Sequence, residues 1–291
     1  MKAVIDCDPI VHIVANVQYT KGNRDNESAV RQHTNEFFHS VLENVRQHAS
    51  EYIAVVQYTG HKNYRNVIYP GYKSHRKPNP ATTLWKAIII DELVQLGVVP
   101  LYYIESDDAL NILAKAEVDE ILIVENDKDL RCIPGPHYNP YKKNLEPRFY
   151  TVSEYEALRI YWKQAIMGDP TDMPGVDCGI ERIGDKKADT AIDGYEANNG
   201  QTFGKLAIEM YLQKYGFKEG LMRLTRTLHM TNLLDSYTDL LHLTYVGMPE
   251  DDKKLISNAS IEAEELLGIE YMSAKSTNDD LFSSDSLFSV G

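Results

Sequence analysis

Ala3-Val4-Ile5-Asp6-Cys7-Asp8 is a short apolar run that closes on two acids. An apolar run of this length with polar ends reads as a strand buried on both faces, and it predicts β-structure over Ala3–Asp6. Similar runs recur at Tyr52–Tyr58, Val99–Glu105 and Glu120–Val124. Between them, Ser28–His48 carries Val30, Phe37, Phe38, Val41, Leu42 and Val45 at helical spacing. Thr83–Leu96 and Asp107–Ala116 fill the other helical slots. Strands alternating with helices make parallel βαβ units, so the expected fold is α/β with a doubly wound, mainly parallel sheet.

From Ser153 onward the pattern turns helical, with candidates at Ser153–Met167, Lys186–Ala197, Gly204–Tyr215 and Thr231–Leu243. Ser153-Glu154-Tyr155-Glu156 has the capping serine and early acids of a helix start. The expected organisation is an α/β core over 1–152, a helical part of the same unit over 153–272, and an acidic, disordered tail over 273–291.

The 291 residues are 43% hydrophobic and 25% charged, the balance of an ordinary soluble protein. No stretch approaches the ~18 apolar residues of a membrane span, and charges interrupt the N-terminus too early for a signal peptide. Three separated cysteines, Cys7, Cys132 and Cys178, argue against a disulfide framework and for a reducing cytoplasm. The nine histidines show no zinc spacing. With 43 acidic against 30 basic side chains the net charge is −13, which taken alone argues against nucleic acid.

The positions of those acids say more than their sum. Asp6 and Asp8 close the first strand, Glu105, Asp107 and Asp108 follow the third, and Asp127 and Asp129 follow the fourth. Ligands bind at such carboxyl ends in open α/β sheets. Asp169 and Asp172 add a fourth cluster after a predicted helix. Acids in these places also cap helices. Gathered at one edge they would need cations, and all-oxygen donors suit Mg²⁺ or Mn²⁺, two of which ~4 Å apart can activate water against a phosphodiester. Between Tyr52 and Ile90 there is not one Asp or Glu, while Lys62, Arg65, Lys73, Arg76, Lys77 and Lys86 interleave with Tyr64, Tyr69 and Tyr72. That pattern suits a phosphate backbone and unstacked bases; the same residues also read as a solvated surface over core tyrosines.

Five segments together resemble the structure-specific 5′ nucleases, especially phage 5′→3′ exonucleases. They are Val4-Ile5-Asp6-Cys7-Asp8, Tyr64-Arg65 leading to Tyr69–Arg76, Glu105–Asp108, Asp127–Leu130 and Ala165–Asp172. The resemblance implies a PIN-like core with a helical arch and a helix-three-turn-helix element. It implies a first metal at Asp6, Glu105, Asp107 and Asp108 and a second at Asp127, Asp129, Asp169 and Asp172. Lys73 and Arg76 would be the catalytic cations at the scissile phosphate. Lys62, Arg65, Tyr72, Lys77, Gly184, Lys186 and Lys187 would join them on DNA, with K⁺ as a further ion of the hairpin that begins near Gly175-Val176.

This sequence departs from the family pattern in three places. Tyr58–Asn63 lacks the usual acid after strand two, the Gly175–Gly184 turn is long, and only 34 residues run from Tyr72 to Glu105, which implies a short arch. The expected activity is Mg²⁺-dependent 5′→3′ exonuclease or flap endonuclease cleavage of DNA with 5′ ends, flaps or RNA-primer junctions, in the cytoplasm of a phage host. The alternatives are a PIN-like nucleic-acid-binding protein with weak or lost catalysis and a PIN-type ribonuclease. In the tail, Asp279-Asp280-Leu281-Phe282 and Asp285-Ser286-Leu287-Phe288 repeat an acid-then-Leu-Phe pattern that suits docking to a replication partner, or simply a solvated end.

Overall fold

Strict side-chain alternation organises the sheet. On β1 (Lys2–Asp6), Ala3 and Ile5 face one core while Val4 faces the other. On β2 (Glu51–Gln57), Tyr52, Ala54 and Val56 join the first core, and Ile53 and Val55 the second. The structure is a computed structural model that describes residues 1–58, 62–116, 120–141, 148–169, 172–173, 178–199, 203–233, 248–269 and 272–273.

β3 (Val99–Leu101), β4 (Ile121–Val124), β5 (Gly135–Tyr138) and β6 (Phe149–Val152) complete the path β3-β2-β1-β4-β5-β6. The first five strands run parallel and β6 returns antiparallel to β5. A two-residue β7 (Met272–Ser273) pairs antiparallel with the start of β2. Ser273, expected in the tail, is therefore sheet; residues 274–291 lie outside the described residues.

One face is covered by α1 (Asp8–Thr20), α2 (Glu27–Val45) and α4 (Pro80–Gln95). Their starts follow local chemistry. The Asn26 side chain accepts from the Ala29 amide at 3.0 Å, and Asn79 accepts from the Ala81 amide at 2.9 Å with Pro80 at the first helical position. The other face carries α5 (Ser106–Ala116) and α10 (Glu250–Leu267). A four-residue α3 (Arg65–Ile68) precedes a non-helical run to Asn79 that is exposed from Ser74 onward, so the short arch is a turn-rich loop.

A separate core gathers α6 (Glu154–Met167), α7 (Asp185–Asn199), α8 (Phe203–Tyr215) and α9 (Phe217–Thr231) around Ile166, Ile192, Leu206 and Tyr211. Ser153 and Glu156 close a reciprocal capping box at the start of α6. Although α10 falls within the 153–272 stretch, its Ile256, Ala259, Ala263 and Leu266 pack back on the sheet's second core. The helix expected from Thr231 meets a helix that ends there, and 234–243 lie outside the described residues.

Candidate metal centre

β1 and β4 are neighbours, and the chain leaves them in different directions, so a crevice opens at their carboxyl ends. Asp6, at 4% exposed, ends β1; Asp107 stands in the first turn of α5; Asp127 follows β4 and accepts the Asp129 amide at 3.0 Å. These carboxylates share one electrostatic field. Burial pushes the Asp6 carboxyl up, and Asp8, Asp107 and Asp127 push it further. Burial does the same to Asp107, reinforced by Asp127 and Glu105. Asp129 is raised by burial and then by Asp127, with Asp169 adding to it.

Asp8 has a different place. One of its oxygens accepts the Gln57 amide at 3.0 Å and the other the Ser106 hydroxyl at 3.0 Å. It thereby ties the start of α1 to the end of β2 and the start of α5.

Arg65 lies at the floor of the site. It is 3% exposed, and its guanidinium holds both oxygens of Asp108 at 2.6 and 2.8 Å. It also donates to Glu105 at 3.0 Å and to the Asn232 carbonyl at 3.0 Å. Burial alone would raise Glu105, but Lys73 and Arg65 overcome it and hold that carboxyl down at about 2. The Tyr72 hydroxyl donates to the same Glu105 oxygen at 2.8 Å. Lys73 pairs with Glu105 and lies 3.6 Å from Asp172, to which Arg76 donates.

Three residues expected to serve DNA or metal are thus turned inward. Arg65 is 3% exposed and Tyr72 6%, and each donates to the Glu105 carboxylate. Asp108 is fully buried with both oxygens on Arg65. Tyr64, at 1% exposed, is likewise core. Lys62, Arg76 and Lys77 remain on the surface.

The fourth acid cluster is placed by a close backbone crossing. Gly168 (φ +71°) ends α6 and lies against Gly179 (φ +76°), where an added Cβ would come within 2.3 Å of the Met167 carbonyl. The Ile180 amide donates to the Ile166 carbonyl at 2.8 Å across this crossing. Asp169 follows at once, and one of its side-chain oxygens accepts the Asp172 amide at 3.2 Å. Asp172 passes its own carbonyl to the Lys73 amide at 3.1 Å, which joins the fourth cluster to the basic loop.

Further out, Gly184 leads into α7, whose exposed first turn carries Lys186 and Lys187. Lys187 bonds the Arg182 carbonyl at 3.0 Å. Asp185 and Asp189 pair with Lys163 of α6 at 2.8 and 2.7 Å, which anchors this turn. Thr59-Gly60-His61 and the Gly175-Val176 start of the expected hairpin lie outside the described residues.

The sequence reading missed Glu262. From α10 its carboxylate accepts the successive amides of Tyr102, Tyr103 and Ile104 at 2.5, 2.7 and 2.9 Å. This ends β3 after Leu101 rather than at Glu105 and aims the chain into α5. It also missed a buried group behind β4. Glu125 accepts from Tyr150, and His137 Nε2 donates to the Ile133 carbonyl at 2.9 Å while its ring stacks on Tyr150.

Among the described residues, no three His, Cys, Asp or Glu side chains stand ready to enclose an ion. Glu105, Asp108 and Asp172 are turned to Arg65, Lys73 and Arg76. The donor chemistry still fits a hard divalent cation. Asp6 is buried and Asp107 half-buried, each carboxyl is raised by desolvation and by other acids, and a bound cation would neutralise their charge.

Known proteins similar to this chain share its fold and its family. A 5′-3′ exonuclease of Buchnera aphidicola subsp. Schizaphis graminum is 29% identical over 144 residues, which cover 45% of this chain and 50% of that protein, so the match spans half of the relative's length. The T5 5′-exonuclease with divalent metal ions (zinc) bound is 15% identical, covers 92% of this chain and 99% of its own, and superposes at a TM-score of 0.59. The bacteriophage T5 flap endonuclease, solved as a pseudo-enzyme-product complex with DNA and metal ions, is 15% identical over 92% of this chain and 100% of its own, at 0.53. Both share the PIN-like α/β fold described above. Residues 12–157, from α1 through Glu105, Asp127 and Asp129 into α6, match the family described as "5'-3' exonuclease, N-terminal resolvase-like domain", and the chain belongs to that family.

Proposed function

We propose that this protein hydrolyses DNA phosphodiesters as a divalent-metal-dependent 5′→3′ exonuclease or flap endonuclease. The observation that carries the reading is the gathering of Asp6, Asp107 and Asp127 at the carboxyl ends of β1 and β4, where burial and neighbouring acids raise the Asp6 and Asp107 carboxyls, beside a basic loop free of acids. Asp6, Glu105 and Asp107 would hold one ion, with Asp108 acting through Arg65. Asp127, Asp129, Asp169 and Asp172 would hold the other. Bound Mg²⁺ or Mn²⁺ supplies the Lewis acidity that activates water and neutralises charge on the phosphoryl oxygens.

The chain's own groups do the rest. Lys73 and Arg76, released from Glu105 and Asp172, would grip the scissile phosphate, where their positive charge offsets the developing negative charge. Lys62 and Lys77 would follow the backbone of the strand being cleaved. Gly184, Lys186 and Lys187 would present amides and cations to the duplex at the start of α7. Substrates of this kind arise at primers and flaps in DNA replication, in a phage-infected or bacterial cytoplasm.

A second reading draws on the same ion pairs. With Glu105 and Asp172 already neutralised by Lys73 and Arg76, the fold would bind branched DNA without turnover. Cleavage of 5′-labelled flap, duplex, RNA and hybrid substrates separates the two. Turnover of DNA with Mg²⁺ that EDTA abolishes is the expected result. Binding without cleavage under every metal condition would overturn the enzyme reading, and cleavage of RNA alone would move it to the ribonucleases.

A further inference from the structure

The two halves of the proposed metal centre sit on different strands, and what fixes their relative position is not among the acids. The β1–β4 ladder ends at the pair Ile5 and Val124. Beyond that pair Glu125 turns away, its amide donating to the Tyr138 carbonyl of β5 at 3.0 Å. The strands part just where Asp6 on one side and Asp127 on the other must act together.

Two buried residues after β5 bridge this parting. Tyr141, at 8% exposed, donates its hydroxyl to the Asp6 carbonyl, 135 positions away in the chain. Asn139, at 3% exposed, donates its side-chain amide to the Asn126 side chain at 3.3 Å, directly before Asp127. The Asn139 side-chain oxygen accepts the Tyr141 amide at 3.1 Å, which closes the connection. The brace therefore runs from the Asp6 backbone through Tyr141 and Asn139 to Asn126. The segment is itself fixed, because the Asn139 amide donates to the Arg148 carbonyl at 2.9 Å.

We propose that Tyr141 and Asn139 are positioning residues that hold Asp6 and Asp127 at the separation a shared metal centre requires. The inference rests on the metal-dependent reading above. Neither residue offers a donor to an ion: the Tyr141 hydroxyl is spent on a backbone carbonyl, and Asn139 is spent on Asn126 and the Tyr141 amide. Their action is through the two aspartates, as outer partners orient the direct ligands of a metal.

The test is a Mn²⁺ titration of DNA-free protein, with free Mn²⁺ followed by electron paramagnetic resonance. Tyr141→Phe keeps the ring and removes one hydroxyl; Asn139→Asp keeps the acceptor for the Tyr141 amide and removes the donor to Asn126. Each is expected to weaken Mn²⁺ binding by about tenfold, the scale of an outer-partner loss, while near-ultraviolet circular dichroism stays that of the parent. Flap-DNA affinity without metal should not change. If either variant unfolds, the other carries the test. Parental Mn²⁺ isotherms in the folded variants would overturn the brace while leaving the metal reading intact. Failure of the parent protein itself to bind Mn²⁺ would remove both.

Discussion

At the scale of single residues, one guanidinium organises the floor of the site. Arg65 spends its donors on Asp108, Glu105 and the Asn232 carbonyl, so it joins the basic loop, the start of α5 and the end of α9 at one point. Nothing in the letters Tyr64-Arg65 distinguishes a cation facing DNA from one facing inward; burial decides it, and burial is set by what packs above. Only Arg presents the planar fork that engages a carboxylate with two parallel bonds. Removing one partner of a buried pair strands the other charge, at a cost of about 3–5 kcal/mol. Urea denaturation should therefore show Arg65→Met and Asp108→Leu each destabilised on that scale. The double variant should recover part of the loss, because no charge is then stranded between them. Complete additivity of the two losses would mean that the pair is not energetically coupled.

At the scale of elements, the sheet and the helices that were legible are those whose apolar spacing serves the core directly. β1, β2 and β4 stand out as apolar runs because both their faces are covered. α2, α5 and α6 carry periodic stripes or caps. α1 was hidden because Asp8-Pro9 reads as the end of a strand motif, although Pro at the first turn is a helix starter. β5 and β6 are four residues each, too short for periodicity.

The overlong reading of β3 has a specific cause. Tyr102-Tyr103-Ile104 is apolar enough for a strand, yet its amides go to a side chain from a helix some 160 positions away. A long-range acceptor of this kind leaves no local signal. Three of the four acid clusters were legible because they follow strand ends, and the fourth because it follows a helix end, whereas the inward turn of Arg65, Tyr72 and Asp108 depends on tertiary packing. Glu262→Ala should strip protection from exactly those three amides. Hydrogen exchange is expected to quicken at Tyr102–Ile104 and, if the clamp sets the start of α5, at Ser106–Asp108. Unchanged exchange at 102–104 would show that the clamp does not hold that turn.

At the scale of the whole molecule, the net charge of −13 misleads because it averages over two territories. Nine acids fall in four clusters of the sequence, while the stretch from Tyr52 to Ile90 holds none. On the proposed reading, once the crevice acids are neutralised, whether by cations of the chain or by metal, a phosphate backbone would meet the basic loop. This has a measurable consequence in salt. Each cation that neutralises a phosphate on duplex DNA contributes about 0.9 to the slope of log affinity against log salt. Lys62 and Lys77 are exposed, so a Lys62→Ala/Lys77→Ala variant should keep the parent's stability. Its slope should fall in magnitude by nearly 2 if both contact the backbone. Lys21 supplies the control, since it is exposed just past the far end of α1, 13 residues and ~20 Å from the crevice where that helix starts. Fluorescence anisotropy of a labelled flap duplex, titrated across a range of KCl with Ca²⁺ in place of Mg²⁺, reads all three proteins. An unchanged slope in the double variant, or an equal change in Lys21→Ala, would mean that DNA is drawn to the molecule by charge in general and not by this loop.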